Sequence, residues 1–224
     1  MRRETERLAL LAAHLDRLPP GGTVSFASSA GALYAGVTSW PATEKTEIHP
    51  THPYGFAKQE QEALLGTTCA RLGHRLVIHR ISNLFGMDPA SDRPRGLIGH
   101  LVRNTLTRVP SNIFVPVSFS RDYIHASDAA SLMLYQTGAP DAAGGTSRIR
   151  LVAAEQNHTV LDIITTLSRM MKRTIPFVER PTPESRLQPP ILAFRSIDSH
   201  QRALVRVPLE NGLRRLIDEY ARRQ

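Results

Sequence analysis

One cysteine, Cys69, is all that 224 residues contain. A lone thiol excludes an internal disulfide and fits a reducing compartment, so the chain is expected in the cytoplasm. Long apolar runs are missing as well. Leu8 to Leu15 is interrupted by His14 and falls far short of the ~20 apolar residues a membrane helix needs. The charged opening Met1-Arg2-Arg3-Glu4-Thr5-Glu6-Arg7 has no small-residue cleavage site after it, and no signal peptide is expected. Aromatic residues are scarce, at 6%, and do not interleave with basic ones. Their scarcity argues against nucleic-acid binding in spite of a net charge of +8. That charge leaves two readings open: attraction to an anionic ligand, or a solvated arginine-rich surface that includes Arg214, Arg215, Arg222 and Arg223. No internal repeat, low-complexity tract or metal-ligand set stands out.

What is present is an ordinary apolar content of 41%, enough for one sizeable core or for one domain with a small lobe. Leu8, Leu10, Leu11, Leu15 and Leu18 recur at helical spacing, which predicts a helix over 4–18, stopped by Pro19-Pro20-Gly21-Gly22. A strand is expected over Thr23 to Ala27, ending at Ser28-Ser29, then a loop to about His52. Pro53 suits the first turn of a helix running to about Arg71, with the Thr51 hydroxyl as its cap. The unbroken run Leu76-Val77-Ile78 marks a parallel strand over Arg75 to Ile81, covered on both faces. Further helices are expected at 97–107, Ser127 to Thr137, Thr159 to Met171 and 209–222. Further strands are expected at Ile113 to Val117, Asp122 to His125, Ile149 to Val152 and Ile175 to Val178. Alternating strands and helices make this an α/β protein.

Tyr54-Gly55-Phe56-Ala57-Lys58 places a phenol and an ammonium one helical turn apart on one face. A free tyrosine, with a pKa near ~10, is a poor base at neutral pH. A nearby ammonium favours the phenolate, so the pair can pass a proton to or from a substrate hydroxyl. A lone Y-x-x-x-K is too short to mean more than a surface helix. Here it follows a strand that ends in two serines, at the edge where open α/β sheets bind ligands.

Ser25-Phe26-Ala27-Ser28-Ser29-Ala30-Gly31-Ala32-Leu33-Tyr34 resembles the strand and serine loop of extended short-chain dehydrogenase/reductases of the NAD-dependent epimerase/dehydratase kind. Pro41-Ala42-Thr43-Glu44 and His49-Pro50-Thr51-His52-Pro53-Tyr54-Gly55-Phe56-Ala57-Lys58 resemble that family's approach to its active-site helix. Arg80-Ile81-Ser82-Asn83-Leu84-Phe85-Gly86, Arg121-Asp122-Tyr123-Ile124-His125-Ala126-Ser127-Asp128 and Pro208-Leu209-Glu210-Asn211-Gly212-Leu213-Arg214-Arg215 resemble three later segments, in family order. The resemblance implies an incomplete Rossmann-type parallel sheet, its second half only, with a small C-terminal α/β substrate-binding lobe. Residues 1–85 and 120–150 would form the partial catalytic unit, and 86–119 and 151–224 the interleaved lobe.

It also implies roles. Tyr54 is the catalytic acid/base. Lys58 holds the nicotinamide ribose and lowers the tyrosine pKa. Ser29, with Ser28 as the alternative, binds the reacting hydroxyl. Asn83 and Arg121 hold the diphosphate of a nucleotide-linked sugar, and the cofactor is NAD or NADP. Two departures accompany this. The working serine of many relatives stands four residues before the Tyr34 position, where this chain has Ala30. The family's opening glycine-rich G-x-x-G-x-x-G turn has no counterpart: Gly21-Gly22 follows a helix, and Gly144-Gly145 is placed in a loop. A complementing N-terminal chain, or a homodimer, is therefore an expected partner. The other reading is a catalytically inactive remnant, or a nucleotide-sugar-binding module.

Overall fold

A computed structural model describes residues 2–19, 21–87, 94–139, 147–186 and 188–223; Pro20, Gly144 and Gly145 lie outside the described residues. In chain order the elements are α1 (Arg2–Ala12), β1 (Thr23–Ser29), α2 (Ala30–Leu33), α3 (Pro53–Leu72), β2 (Arg75–Ile81), β3 (Asn83–Phe85), α4 (Gly96–Thr107), β4 (Ser111–Ile113), β5 (Ser120–His125), α5 (Ala126–Gly138), β6 (Ser147–Val152), β7 (Asn157–Thr159), α6 (Val160–Met171), β8 (Phe177–Glu179), α7 (Pro183–Arg186), β9 (Ile191–Leu192) and α8 (Leu209–Ala221). Short 3-10 turns occupy Leu15–Arg17 and Ser199–Leu204.

The first helix ends earlier than its apolar spacing predicts. At His14 the backbone amide bonds three residues back, to the Leu11 carbonyl, and the ring Nδ1 contacts the Leu10 carbonyl oxygen at 2.8 Å. The ladder tightens there into the 3-10 turn, a common way for a helix to finish. Thr51 does not cap α3: the capping position is His52, without a side-chain bond, and Pro53 opens the first turn. Gly73, at φ 70°, closes α3 in the left-handed conformation that glycine adopts without steric cost. Thr159 and Asp162 form a reciprocal capping box at the start of α6. The strand expected over 113–117 stops at Ile113, before Pro116, which has no N–H to give a ladder.

β1, β2 and β6 form one parallel sheet, with Ser28 beside Arg80 and Ser29 beside Ile81. β2 is central and buried on both faces, as its apolar run predicts. Leu65 and Cys69 of α3 and Ala12 of α1 pack on Leu76 and Ile78 from one side, and α5 covers the other. Among the described strands β1 pairs only with β2, and Thr23, Ser25 and Ala27 along it are exposed. β5 lies in a second sheet, parallel to β3 and β9 and antiparallel to β7. β4 and β8 make a two-stranded parallel pair. The largest core gathers α4, α6 and α8 around Leu101, Ile113, Ile163, Leu167 and Leu213. No helix among the described residues is long and apolar enough to cross a membrane.

Carboxylates tie the irregular C-terminal segment to this frame. Glu44 accepts from the Leu151 amide (3.2 Å), the Ser196 hydroxyl (2.5 Å) and the Ile197 amide (2.9 Å). Asp128 accepts from the Arg206 and Val207 amides at 3.0 and 2.8 Å. Asp122 accepts from the Ala154 and Gln156 amides at 2.9 and 3.0 Å. Burial nevertheless raises the Asp122 carboxyl from its ordinary 3.8 to about 6. Between those values the folded protein keeps a proton that the unfolded chain has released, so this group lowers stability as pH rises through the window. Urea unfolding at pH 4 and pH 7 checks this: Asp122→Asn should remove that part of the wild-type slope. An unchanged slope would contradict it.

Candidate active site

α3 carries Tyr54, Lys58 and Glu62 at successive four-residue steps, hence on one face. A close approach sets the depth of its first turn. A Cβ on Gly55 would sit 2.6 Å from the Ala32 carbonyl oxygen and 2.8 Å from Pro50 Cβ. The loop that carries the serines thus rests directly on the helix that carries the phenol. Gly55→Ala is expected to cost about 1–3 kcal/mol, read as a lowered urea midpoint; a midpoint equal to wild type would show that α2 yields without cost.

Ser29 ends β1 and caps α2, accepting from the Ala32 amide at 3.3 Å. Its hydroxyl is close enough to the Tyr54 phenol to act on that group's titration. Tyr54 is 43% exposed. Burial pushes its pKa up, the Glu4 carboxylate on α1 adds to the rise, and the Ser29 hydroxyl opposes it. The lowering expected from Lys58 is absent in this geometry. The lysine Nζ lies 5.8 Å from the Tyr54 ring centroid and 5.0 Å from that of Phe26, and it donates to the Ala27 carbonyl oxygen at 3.3 Å. Burial lowers the pKa of Lys58 itself, with Glu4 and Glu62 acting the other way. At neutral pH the phenol therefore carries its proton.

Ser28 is not brought to this cluster. Successive strand residues face opposite ways, and Ser28 points inward, 5% exposed, donating to Glu62 Oε1 at 2.6 Å. Asn83 and Arg121 line a cavity of about 280 Å³, together with Arg95, Leu97, Phe119 and Gln188. Asn83 stands opposite Tyr123 in the β3–β5 ladder, and a methyl group on Gly31 would lie 3.4 Å from Asn83 Oδ1. The serine loop and the cavity are thus adjacent. Arg121 stacks 5.2 Å from the Phe119 ring centroid and donates to the Ser120 and Pro190 carbonyls (2.9 and 3.2 Å) and to Gln188 Oε1 (3.3 Å).

Arg95, Phe119 and Gln188 were not legible as site residues, because each comes from a different segment and none sits in a spaced motif. Glu4 was read only as part of a charged terminus. Among the described residues no group of three or more His, Cys, Asp or Glu is placed to hold a metal.

Residues 6–149 match the profile of the NAD dependent epimerase/dehydratase family. The chain belongs to that family. The dTDP-4-dehydro-6-deoxyglucose reductase of Escherichia coli is 30% identical over 105 residues, which are 47% of this chain and 33% of that protein. The chain thus spans about a third of the curated relatives it matches. Among solved structures, UDP-glucose 4-epimerase of Thermotoga maritima with UDP-glucose superimposes at a TM-score of 0.80 and 22% identity, over 99% of this chain and 72% of that one. UDP-glucuronic acid 4-epimerase of Bacillus cereus, with UDP-glucuronic acid and NAD, gives 0.81 and 18%, over 97% and 67%. The epimerase/dehydratase fold is therefore that of a Rossmann-like α/β protein.

Ser29 at the end of β1 and Tyr54 and Lys58 on the first turns of α3 offer hydroxyls and an ammonium, donors of the kind that suit the ribose end of the family's cofactor. Among the described residues no glycine-rich turn joins a strand to a helix N-terminus, the cradle a dinucleotide pyrophosphate needs.

Proposed function

We propose that this chain supplies the substrate side of an epimerase/dehydratase-type enzyme, in which Tyr54 exchanges a proton with a hydroxyl of a nucleotide-linked sugar. The observation that carries the reading is the approach of the serine loop to the first turn of α3, where Gly55 leaves no room for a Cβ against Ala32: it brings Tyr54 to Ser29 at the carboxyl end of β1, beside the Asn83 cavity. A sugar hydroxyl entering there would meet both side chains. Ser29 orients it, Tyr54 receives or returns its proton, and Lys58 supplies positive charge one turn away. NAD or NADP, when bound, accepts and returns the hydride.

Asn83 and the arginines of the cavity, Arg95 and Arg121, would hold the diphosphate, since a guanidinium fork pairs with phosphate oxygens. Residues 1–85 with 120–150 would act as the partial catalytic unit, and the rest as the substrate lobe. The pyrophosphate cradle would come from a unit outside these residues, added along the outer edge of β1, which pairs with no further strand among the described residues. Residues on that edge are exposed, and an open strand edge invites pairing. The lone buried thiol suits a reducing cytoplasm.

Calorimetric titration of the purified chain with UDP- and GDP-sugars tests the reading. Saturable binding that Arg121→Ala weakens is expected. Absence of any nucleotide-sugar binding, with or without an added cofactor unit, would sink it.

A further inference from the structure

Behind the candidate pair lies a buried ionic cluster that has no part in the proton transfer described above. Glu62 stands on α3 one turn beyond Lys58 and two beyond Tyr54, and is 8% exposed. Its Oε1 accepts from the Ser28 hydroxyl (2.6 Å) and from Arg80 Nε (3.1 Å), and its Oε2 from Arg80 NH2 (2.7 Å). The NH1 of Arg80 donates to the Tyr34 hydroxyl at 2.8 Å, and that hydroxyl donates to the Thr43 carbonyl at 3.1 Å. One carboxylate therefore joins the active-site helix to β1, through Ser28, and to β2, through the two-pronged Arg80. Through Arg80 it also reaches Tyr34, at the end of the serine loop. Ser28 adjoins Ser29, so the strand end that meets Tyr54 is fixed by the same group that fixes the helix.

A buried pair of this kind is a poor device for stability alone, because taking both charges out of water roughly cancels their attraction. Its place is what distinguishes it. Arg80 is directed into the core, toward Tyr34, while the helix carries Glu62 on the same face as Lys58. We propose that Glu62 is the positioning residue of the Tyr54–Lys58 pair: it locks α3 against the serine strand and sets a fixed negative charge one turn behind the lysine ammonium. The inference rests on the proposed role of that pair, but its test needs no turnover.

The chain has only three lysines, Lys45, Lys58 and Lys172. Reductive methylation with ¹³C-formaldehyde, followed by NMR titration, gives each its own signal, and Lys58→Arg assigns one of them. Two carboxylates support the ammonium against burial, Glu4 on α1 first and Glu62 second, and loss of the Glu62 charge removes the one that also holds the helix. Glu62→Gln should accordingly lower the Lys58 midpoint measurably, and Glu62→Asp should restore most of it. Glu62→Gln leaves Arg80 buried without its partner and could fail to fold. The double variant Glu62→Gln/Arg80→Met removes both charges together and is expected to fold, with the Lys58 midpoint still lowered. A purely structural Glu62 predicts a lower melting temperature with the midpoint unmoved. That result in either folded variant overturns the proposal, whatever the nucleotide-sugar titrations show.

Discussion

Tyr54→Phe, assayed with the cofactor-binding unit supplied, should reduce turnover of a nucleotide sugar by ~10²–10⁴-fold, the range a positioned acid or base contributes. The substitution removes one oxygen from a side chain that is partly open to solvent. It leaves Lys58 on its carbonyl and the Asn83 cavity unaltered, so sugar-nucleotide affinity should change little. The loss belongs in kcat rather than in binding. Wild-type activity in Tyr54→Phe would remove Tyr54 from the mechanism. Since burial and Glu4 keep the phenol protonated, the unaided chain presents Tyr54 as an acid. The pH profile of the complemented enzyme should therefore carry an alkaline limb that Tyr54→Phe lacks.

The second large effect is on folding. Arg80→Ala should cost about 3–5 kcal/mol, the usual result of removing one member of a buried ion pair. Arg80 is 4% exposed, and its loss strips Glu62 of two charged donors and Tyr34 of one. The Glu62 carboxylate would retain only the Ser28 hydroxyl in surroundings that water does not reach. A melting temperature lower by on the order of 10 °C is expected for a chain of this size. Calorimetry reads it directly, and a shift under about 2 °C would show that water enters and solvates the carboxylate.

The parts of the site visible in the sequence were those written in local spacing. Tyr54 and Lys58 needed only a helix, and Pro53 announced one. The strand at Arg75 to Ile81 was legible because a parallel strand covered on both sides must be apolar throughout its middle. The short helix α2 was not foreseen, since Ala30-Gly31-Ala32-Leu33 has neither the length nor the periodicity of a helix and depends on Ser29 for its cap. The inward turn of Ser28 follows from strand alternation, but only once Ser29 is known to face Tyr54. Nothing in the sequence joined Glu62 to Arg80, because burial of a charged pair is a property of two segments meeting. The same holds for Arg95, Phe119 and Gln188, which share a cavity without sharing a stretch of chain.

The carboxylates that bind the C-terminal segment have a consequence for how its shape is encoded. Glu44 meets Leu151, Ser196 and Ile197 across separations of 107, 152 and 153 residues. Such bonds form only after distant chain segments have been brought together, at an entropic cost that local contacts avoid. Apart from the 3-10 turn at Ser199–Leu204, residues 193–207 contain little regular structure of their own, so their conformation is specified elsewhere, by Glu44, by Asp128 and by Glu155, which accepts from the Ser196 amide at 2.9 Å and from Arg202 Nε at 2.6 Å. A substitution at Glu44 is, in effect, an edit to the chain path at Ser196 and Ile197.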